Sequence, residues 1–136
     1  MTSSSAAAVV ENSLELFVGW LTQDGDRLPH WMLMIVPPQS LGHDRNGLGT
    51  RYHSKGGPPD GTPYRVAVEP NTNFRERVLN REFICRIAAG DADQVARAAN
   101  DVPPHWCQKY VVCCLALLEK RRIIPNGHAQ ALAERA

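Results

Sequence analysis

The sequence contains no apolar run that approaches the length of a membrane span, which takes about 20 residues. Its first apolar segment, residues 14–21, is too short, contains Glu15 and has no basic flank, so a secretory signal peptide is not expected. The formal net charge is only +1, and this excludes a broad basic surface for nucleic acid. We therefore predict a cytoplasmic protein with no membrane span and no nucleic-acid partner.

Metal-binding motifs are also missing. The four cysteines form no Cys-x-x-Cys pair and the five histidines no His-x-x-x-His pair, so we predict neither a metal nor a cofactor. Cys113 and Cys114 are neighbours in a predicted helix and point in different directions, which favours a reduced protein over a disulfide-bonded one. The segment Gly56-Gly57-Pro58-Pro59 lacks the strand and helix that flank a phosphate-binding loop.

The composition that remains is that of a globular domain. Hydrophobic residues make up 43% of the 136 residues and charged residues 21%, which is ordinary for a protein with a buried core. Residues 1–12 are small and polar, and we expect a disordered tail there. A single α+β domain is predicted over residues 13–136, and the oligomeric state stays open.

The order of secondary structure predicts the fold class. Five segments have the character of strands: 14–20, His30–Val36, 50–54, 64–69 and 82–88. The second is almost continuously apolar, which is typical of a central strand covered on both faces. Three helices are expected after the strands, ending near Asn100, Leu118 and Ala136. Strands followed by helices predict an antiparallel sheet of four to five strands with helices packed on one side.

Turn-forming residues predict two connecting segments. Residues 55–63 hold three glycines and three prolines, and we predict a surface loop there. Residues 70–73 follow the fourth strand, and Pro70 predicts a turn.

The helix after Pro103 and Pro104 carries a cysteine in its first turn. From Cys107, the helical spacings give an apolar face made of Tyr110, Val111, Cys114 and Leu118. Cys107 is thus expected at the N-terminal end of the buried face, where first-turn N–H groups and the helix dipole favour a thiolate. A cysteine on such a face is also typical of a small core residue, so this pattern alone leaves both interpretations open.

A thiol nucleophile needs a base and a group that orients the base. His30 begins the central strand, and His53 lies on the next one. If these strands pair, two imidazoles stand at one end of the sheet, and a helix docked on the sheet could bring Cys107 to them. His43 and His128 are most simply solvated, and the direction of His105 is not determined by the sequence.

These motifs resemble a known enzyme superfamily. His30-Trp31 opening an apolar strand, Tyr52-His53 on the next strand and Trp106-Cys107-Gln108 opening a helix are similar to the NlpC/P60-like (papain-like) superfamily, and in particular to its permuted, lecithin:retinol acyltransferase-like branch. The likeness runs from His30 to Leu118 in order and depends on three short motifs. Trp106 departs from the asparagine usual before the cysteine.

The resemblance implies a function and roles. Cys107 would be the nucleophile, His30 the general base and His53 the residue that orients His30, in a hydrolase or acyltransferase that acts on an acyl group of a soluble substrate. Independently of the resemblance, four aromatic or polar residues lie beside these three in the sequence and are candidates for binding the substrate in an apolar pocket: Trp31, Tyr52, Trp106 and Gln108. The aromatic ones are equally consistent with core positions, which is the simpler role for Trp31. Two other functions remain open, a non-catalytic binding or regulatory module and a biosynthetic cyclase that uses the same pocket.

Overall fold

A computed structural model of the chain describes residues 13–21, 30–37, 48–58, 61–73 and 80–135. Five strands come first: β1 (Ser13–Leu21), β2 (His30–Val36), β3 (Leu48–Gly57), β4 (Thr62–Asn73) and β5 (Asn80–Ala88). A short 3-10 turn, Ala89–Asp91, leads into three helices: α1 (Ala92–Asp101), α2 (Cys107–Lys120) and α3 (His128–Ala133). The predicted tail over residues 1–12 and His43 lie outside the described residues.

The five strands form one antiparallel sheet in the order β4-β3-β2-β1-β5. The predicted α+β class, the strand number and the central place of β2 are therefore confirmed. The β1–β4 part is a meander in which each strand pairs with the next, while β5 returns to pair with β1. None of the described helices is long and apolar enough to cross a membrane.

Side chains alternate between the two faces of the sheet, and we name these faces by what lies on them. On the helix face, buried side chains pack with the helices, among them Leu16, Val18, Trp31, Leu33, Ile35 and Tyr52. On the far face, a second buried cluster consists of Phe17, Met32, Met34 and Val36. The continuous apolar run of β2 is explained by this division, because the strand contributes to a core on both sides.

The helix α2 buries the face that its spacing predicted. The side chains of Tyr110, Val111, Cys114 and Leu118 are completely buried in the helix-face core. The Tyr110 hydroxyl, which could not remain unbonded there, donates a hydrogen bond to the Ala99 carbonyl oxygen of α1 at 2.6 Å. This bond ties the two long helices together.

Two predicted connections were wrong. Residues 55–57 belong to β3 and residues 62–63 to β4, so most of the expected loop is strand. The expected turn at residues 70–73 also continues β4. Pro63 and Pro70 are tolerated in β4 because it is an edge strand, where a missing N–H need not break a ladder hydrogen bond.

Candidate functional site

Two histidines meet at one end of the sheet. The register between β2 and β3 pairs Leu33 with Tyr52 and Met34 with Arg51, which brings His53 opposite Met32 on the far face. His30, two residues before Met32, lies on the same face. The His30 Nε2 atom is 2.7 Å from the His53 Nδ1 atom. The pairing of these strands thus produces the imidazole pair that the sequence led us to expect.

A carboxylate that the sequence analysis missed completes this group. Glu69 lies opposite Arg51 in the ladder between β3 and β4, and one of its oxygens is hydrogen-bonded to the His53 Nε2 atom. The Arg51 Nε and Nη2 atoms bind the two Glu69 oxygens at 3.0 and 3.1 Å. This bidentate pair fixes the orientation of the carboxylate. We call His30, His53, Glu69 and Arg51 the relay.

Charge and burial set the protonation states of the relay. The Arg51 guanidinium holds the pKa of Glu69 down at about 2, and the His53 hydrogen bond contributes to this. His53 is only 2% exposed, and burial lowers its pKa to about 4 although Glu69 acts in the opposite direction. Burial also lowers the pKa of His30, with Arg51 and Lys55 acting in the same sense. At neutral pH the carboxylate is therefore ionised and both imidazoles are neutral.

These states determine where the protons lie. An ionised carboxylate only accepts hydrogen bonds, so the neutral His53 ring must donate its Nε2–H to Glu69. The Nδ1 atom of His53 then carries a lone pair and accepts the Nε2–H of His30. The Nδ1 atom of His30 is left as an unprotonated nitrogen, which is the form that a general base needs.

Cys107 is the first residue of α2 and is half-buried against the helix-face core. The segment before it is attached to the sheet by His105, whose ring stacks on Tyr64 with the centroids 5.7 Å apart and the planes 7° from parallel. Tyr64 lies near the start of β4, at the same end of the sheet as His30. The helix itself packs on β2 and β3.

The structure brings His30 and His53 together but places Cys107 on the other side of the sheet. Neighbouring residues of a strand face opposite ways, and on β2 it is Trp31, not His30, that belongs to the helix-face core. The relay is on the far face, where Arg51 also contacts the Met32 sulfur. The thiol and the imidazole thus share one end of the sheet on opposite faces.

The four predicted substrate-binding residues have different environments. Trp31 and Tyr52 are buried in the helix-face core, and Gln108 is buried in the first turn of α2. Trp106 is 39% exposed at the N-cap of that helix. Their role in binding a substrate stays a prediction.

Glu69 and Arg51 were missed because their contact depends on strand register. The sequence shows polar side chains at alternate positions of β3 and a carboxylate on β4, but it does not show which residues face one another.

In the described part of the chain, no three or more His, Cys, Asp or Glu side chains are grouped so as to hold a metal ion. Comparison of the chain with models of protein families, with curated proteins and with solved structures finds no match.

Proposed function

We propose that this chain is a hydrolase or acyltransferase in which His30 moves the proton. The observation that carries the proposal is the hydrogen-bonded series from His30 through His53 to Glu69, with Arg51 holding the carboxylate. A base held by a second group, which is itself held by a carboxylate, is the arrangement that acyl-transfer enzymes use to orient an imidazole. An isolated structural histidine does not require such a series.

The chemistry follows from the proton positions. The His30 Nδ1 atom accepts the proton of a nucleophile as the nucleophile bonds to an acyl carbon, and later returns it to the leaving group. His30 becomes positively charged in between. Because His30 donates to His53 and His53 to Glu69, the negative carboxylate stabilises that charge through the relay.

The first candidate nucleophile is the Cys107 thiol, as the resemblance to the permuted papain-like enzymes implies. The sulfur would bond to the acyl carbon and form a thioester while the leaving group departs with a proton, and water or an acceptor amine or alcohol would then release the acyl group. The start of α2 at Cys107 and the docking of α2 on β2 and β3 support this form.

The second candidate nucleophile is water, activated directly by His30. It is favoured by one observation, the opposite faces occupied by the relay and Cys107. A thiol in the permuted papain-like arrangement would have to reach His30 around the end of β2. A water molecule needs only the exposed side of the half-buried His30 ring.

Variants of the purified chain separate these forms. We would measure hydrolysis and transfer of acetyl to octanoyl groups from activated esters, thioesters and anilides. The tested variants are His30→Gln and Cys107→Ala, and the matched controls are His128→Gln and Cys85→Ala. We expect His30→Gln to lower the rate by about 10²–10⁴-fold, the usual contribution of a general base, while both controls keep it.

The Cys107→Ala result decides the nucleophile. Loss of activity together with a lost thioester intermediate, detected by mass spectrometry, assigns the thiol. Retained activity with loss in His30→Gln assigns water. Activity that survives His30→Gln contradicts the role proposed for His30. Absence of activity on every substrate in the wild type contradicts the proposal and favours the binding module or, if a substrate is rearranged without acyl transfer, the cyclase.

A further inference from the structure

Ser54 carries a buried hydroxyl group that has no hydrogen-bond partner among the described residues. The residue is 3% exposed, and its Oγ atom is the buried side-chain oxygen or nitrogen for which the described residues supply no partner. A buried hydroxyl without a partner destabilises a fold, so a residue of this kind calls for an explanation in terms of what it binds. The relay does not use it, because Ser54 lies on the helix face.

The neighbours of Ser54 locate it beneath the beginning of α2. Ser54 pairs with Val66 of β4, which packs against the helix-face core, and it lies between Tyr52 and the Gly57–Tyr64 contact along the hairpin. The segment that begins α2 meets the sheet on either side of Ser54. The His105 ring stacks on Tyr64, and Tyr110 is buried in the helix-face core together with Tyr52.

The chain between those two anchors is the first turn of α2. Trp106, the N-cap residue, supplies no side-chain hydrogen bond, and the first bond within the helix runs from the Tyr110 N–H to the Trp106 carbonyl oxygen at 2.9 Å. The Gln108 and Lys109 N–H groups precede it and have no acceptor within the helix. A helix start of this kind attracts negative charge.

We propose that Ser54 and the first turn of α2 bind an anionic acyl oxygen beside Cys107. Ser54 supplies the O–H donor, and the backbone N–H groups supply the rest of the positive environment. In the thiol form of the proposed function, on which the identity of the ligand rests, this oxygen is the one that gains charge when the sulfur bonds to the acyl carbon. A carboxylate also presents negatively charged oxygen close to the sulfur and serves as its probe.

Two alkylating reagents test the site through Cys107 itself. In both, the sulfur bonds to carbon and iodide leaves, but iodoacetate carries a carboxylate and iodoacetamide a neutral amide. We would measure the ratio of the two labelling rates at Cys107 in wild type, Ser54→Ala and Thr50→Val, locating the label by peptide mass spectrometry. Thr50→Val is the matched control, since it removes a hydroxyl four residues away on the same strand and face.

We expect Ser54→Ala to lower the iodoacetate-to-iodoacetamide ratio roughly tenfold, the effect of losing one hydrogen bond to a charged group. Thr50→Val should leave the ratio unchanged. We also expect the Tm of Ser54→Ala to rise, because the variant removes an unbonded buried hydroxyl.

A ratio within twofold of wild type in Ser54→Ala overturns the proposal. A lower Tm or failure to fold overturns it too, because the hydroxyl would then be satisfied within the fold. The labelling ratio does not depend on catalysis, so an enzyme that keeps its activity in Cys107→Ala contradicts the thiol mechanism without deciding this test.

Discussion

At the scale of single residues, His53 shows how burial and a charged partner compete. The Glu69 carboxylate favours a protonated imidazole, while removal of the ring from water disfavours it. Burial is the larger effect, and the pKa of His53 falls to about 4. The ring is therefore neutral and carries a single proton between His30 and Glu69. The position of that proton decides that the hydrogen bonds are donated from His30 to His53 and from His53 to Glu69.

The cysteines differ enough in environment to predict an order of reactivity. Burial raises the pKa of Cys114 to about 12 and also raises the pKa of Cys85. Since the thiolate is the reactive form, both should alkylate slowly near neutral pH. We expect iodoacetamide to label Cys107, at the start of a helix, before either of them.

The order is measured by labelling the folded chain for increasing times and locating the label by peptide mass spectrometry. The urea-unfolded chain is the control, in which the three rates should converge. Labelling of Cys114 as fast as Cys107 in the folded chain would contradict the expected order and would favour Cys107 as an ordinary core residue.

At the scale of elements, the β3–β4 hairpin depends on a glycine. Gly57 has a φ of +74°, and a Cβ atom built on it would lie 2.3 Å from the Tyr64 ring. Gly61 has a similar φ of +76°, but a Cβ atom there would meet no atom of the described part of the chain within 4 Å. Alanine substitutions at these two glycines therefore separate the free-energy cost of the backbone conformation from that of steric overlap with Tyr64.

We expect Gly61→Ala to reduce the free energy of unfolding by about 1–2 kcal/mol, the usual cost of placing a side chain in the left-handed region. Gly57→Ala should cost about 2–5 kcal/mol, since it adds overpacking and displaces Tyr64 from its stack on His105. Urea unfolding of both variants measures the difference. Equal costs would show that the Tyr64 ring moves aside freely.

The sequence predicted the strands and helices well, but it did not show on which face of the sheet each side chain lies. The alternation of β4 and the apolar run of β2 come from local pattern, so those strands and the antiparallel sheet could be expected. The relation of Cys107 to His30 could not, because it depends on which side of β2 the helix covers. Met32 and Leu33 are equally apolar, so the sequence does not show which face of β2 the helices cover. In the structure the helices pack on the face that holds Trp31 and Leu33.

The relay illustrates the same limit for the site. His30 and His53 could be paired from strand order, since both lie at the ends of segments predicted to be adjacent. Glu69 could not, because the pattern of residues 64–69 does not show their register with β3. That register places Glu69 opposite Arg51.

At the scale of the whole molecule, the relay makes stability depend on pH. The folded-state pKa of His53 is about 4 and its ordinary value 6.5, so the unfolded chain binds the proton more readily between these values. The contribution of His53 to the free energy of unfolding is therefore fully present above pH 6.5 and is lost as the pH falls towards 4. Glu69, with a pKa of about 2 against 4.5, adds a further loss below pH 4.5.

We expect the free energy of unfolding to fall by roughly 3 kcal/mol from pH 7 to pH 4 through His53 alone. Urea unfolding at several pH values measures this change, and His53→Gln is the variant that removes the titrating ring. Its curve should be flatter between pH 6.5 and 4, although its stability at pH 7 is lower. Parallel curves for wild type and variant would contradict this assignment.

The central claim is that His30 is a neutral base whose Nδ1 atom is kept unprotonated by His53 and Glu69. Nitrogen-15 NMR of the imidazole rings at pH 7 tests it most directly, because protonated and unprotonated ring nitrogens differ widely in chemical shift. We predict a proton on Nε2 and none on Nδ1 in both His30 and His53. We also predict that Glu69→Gln changes the nitrogen-15 chemical shifts of the His30 ring. A proton on the His30 Nδ1 atom at pH 7, in either the neutral or the charged ring, would contradict the claim.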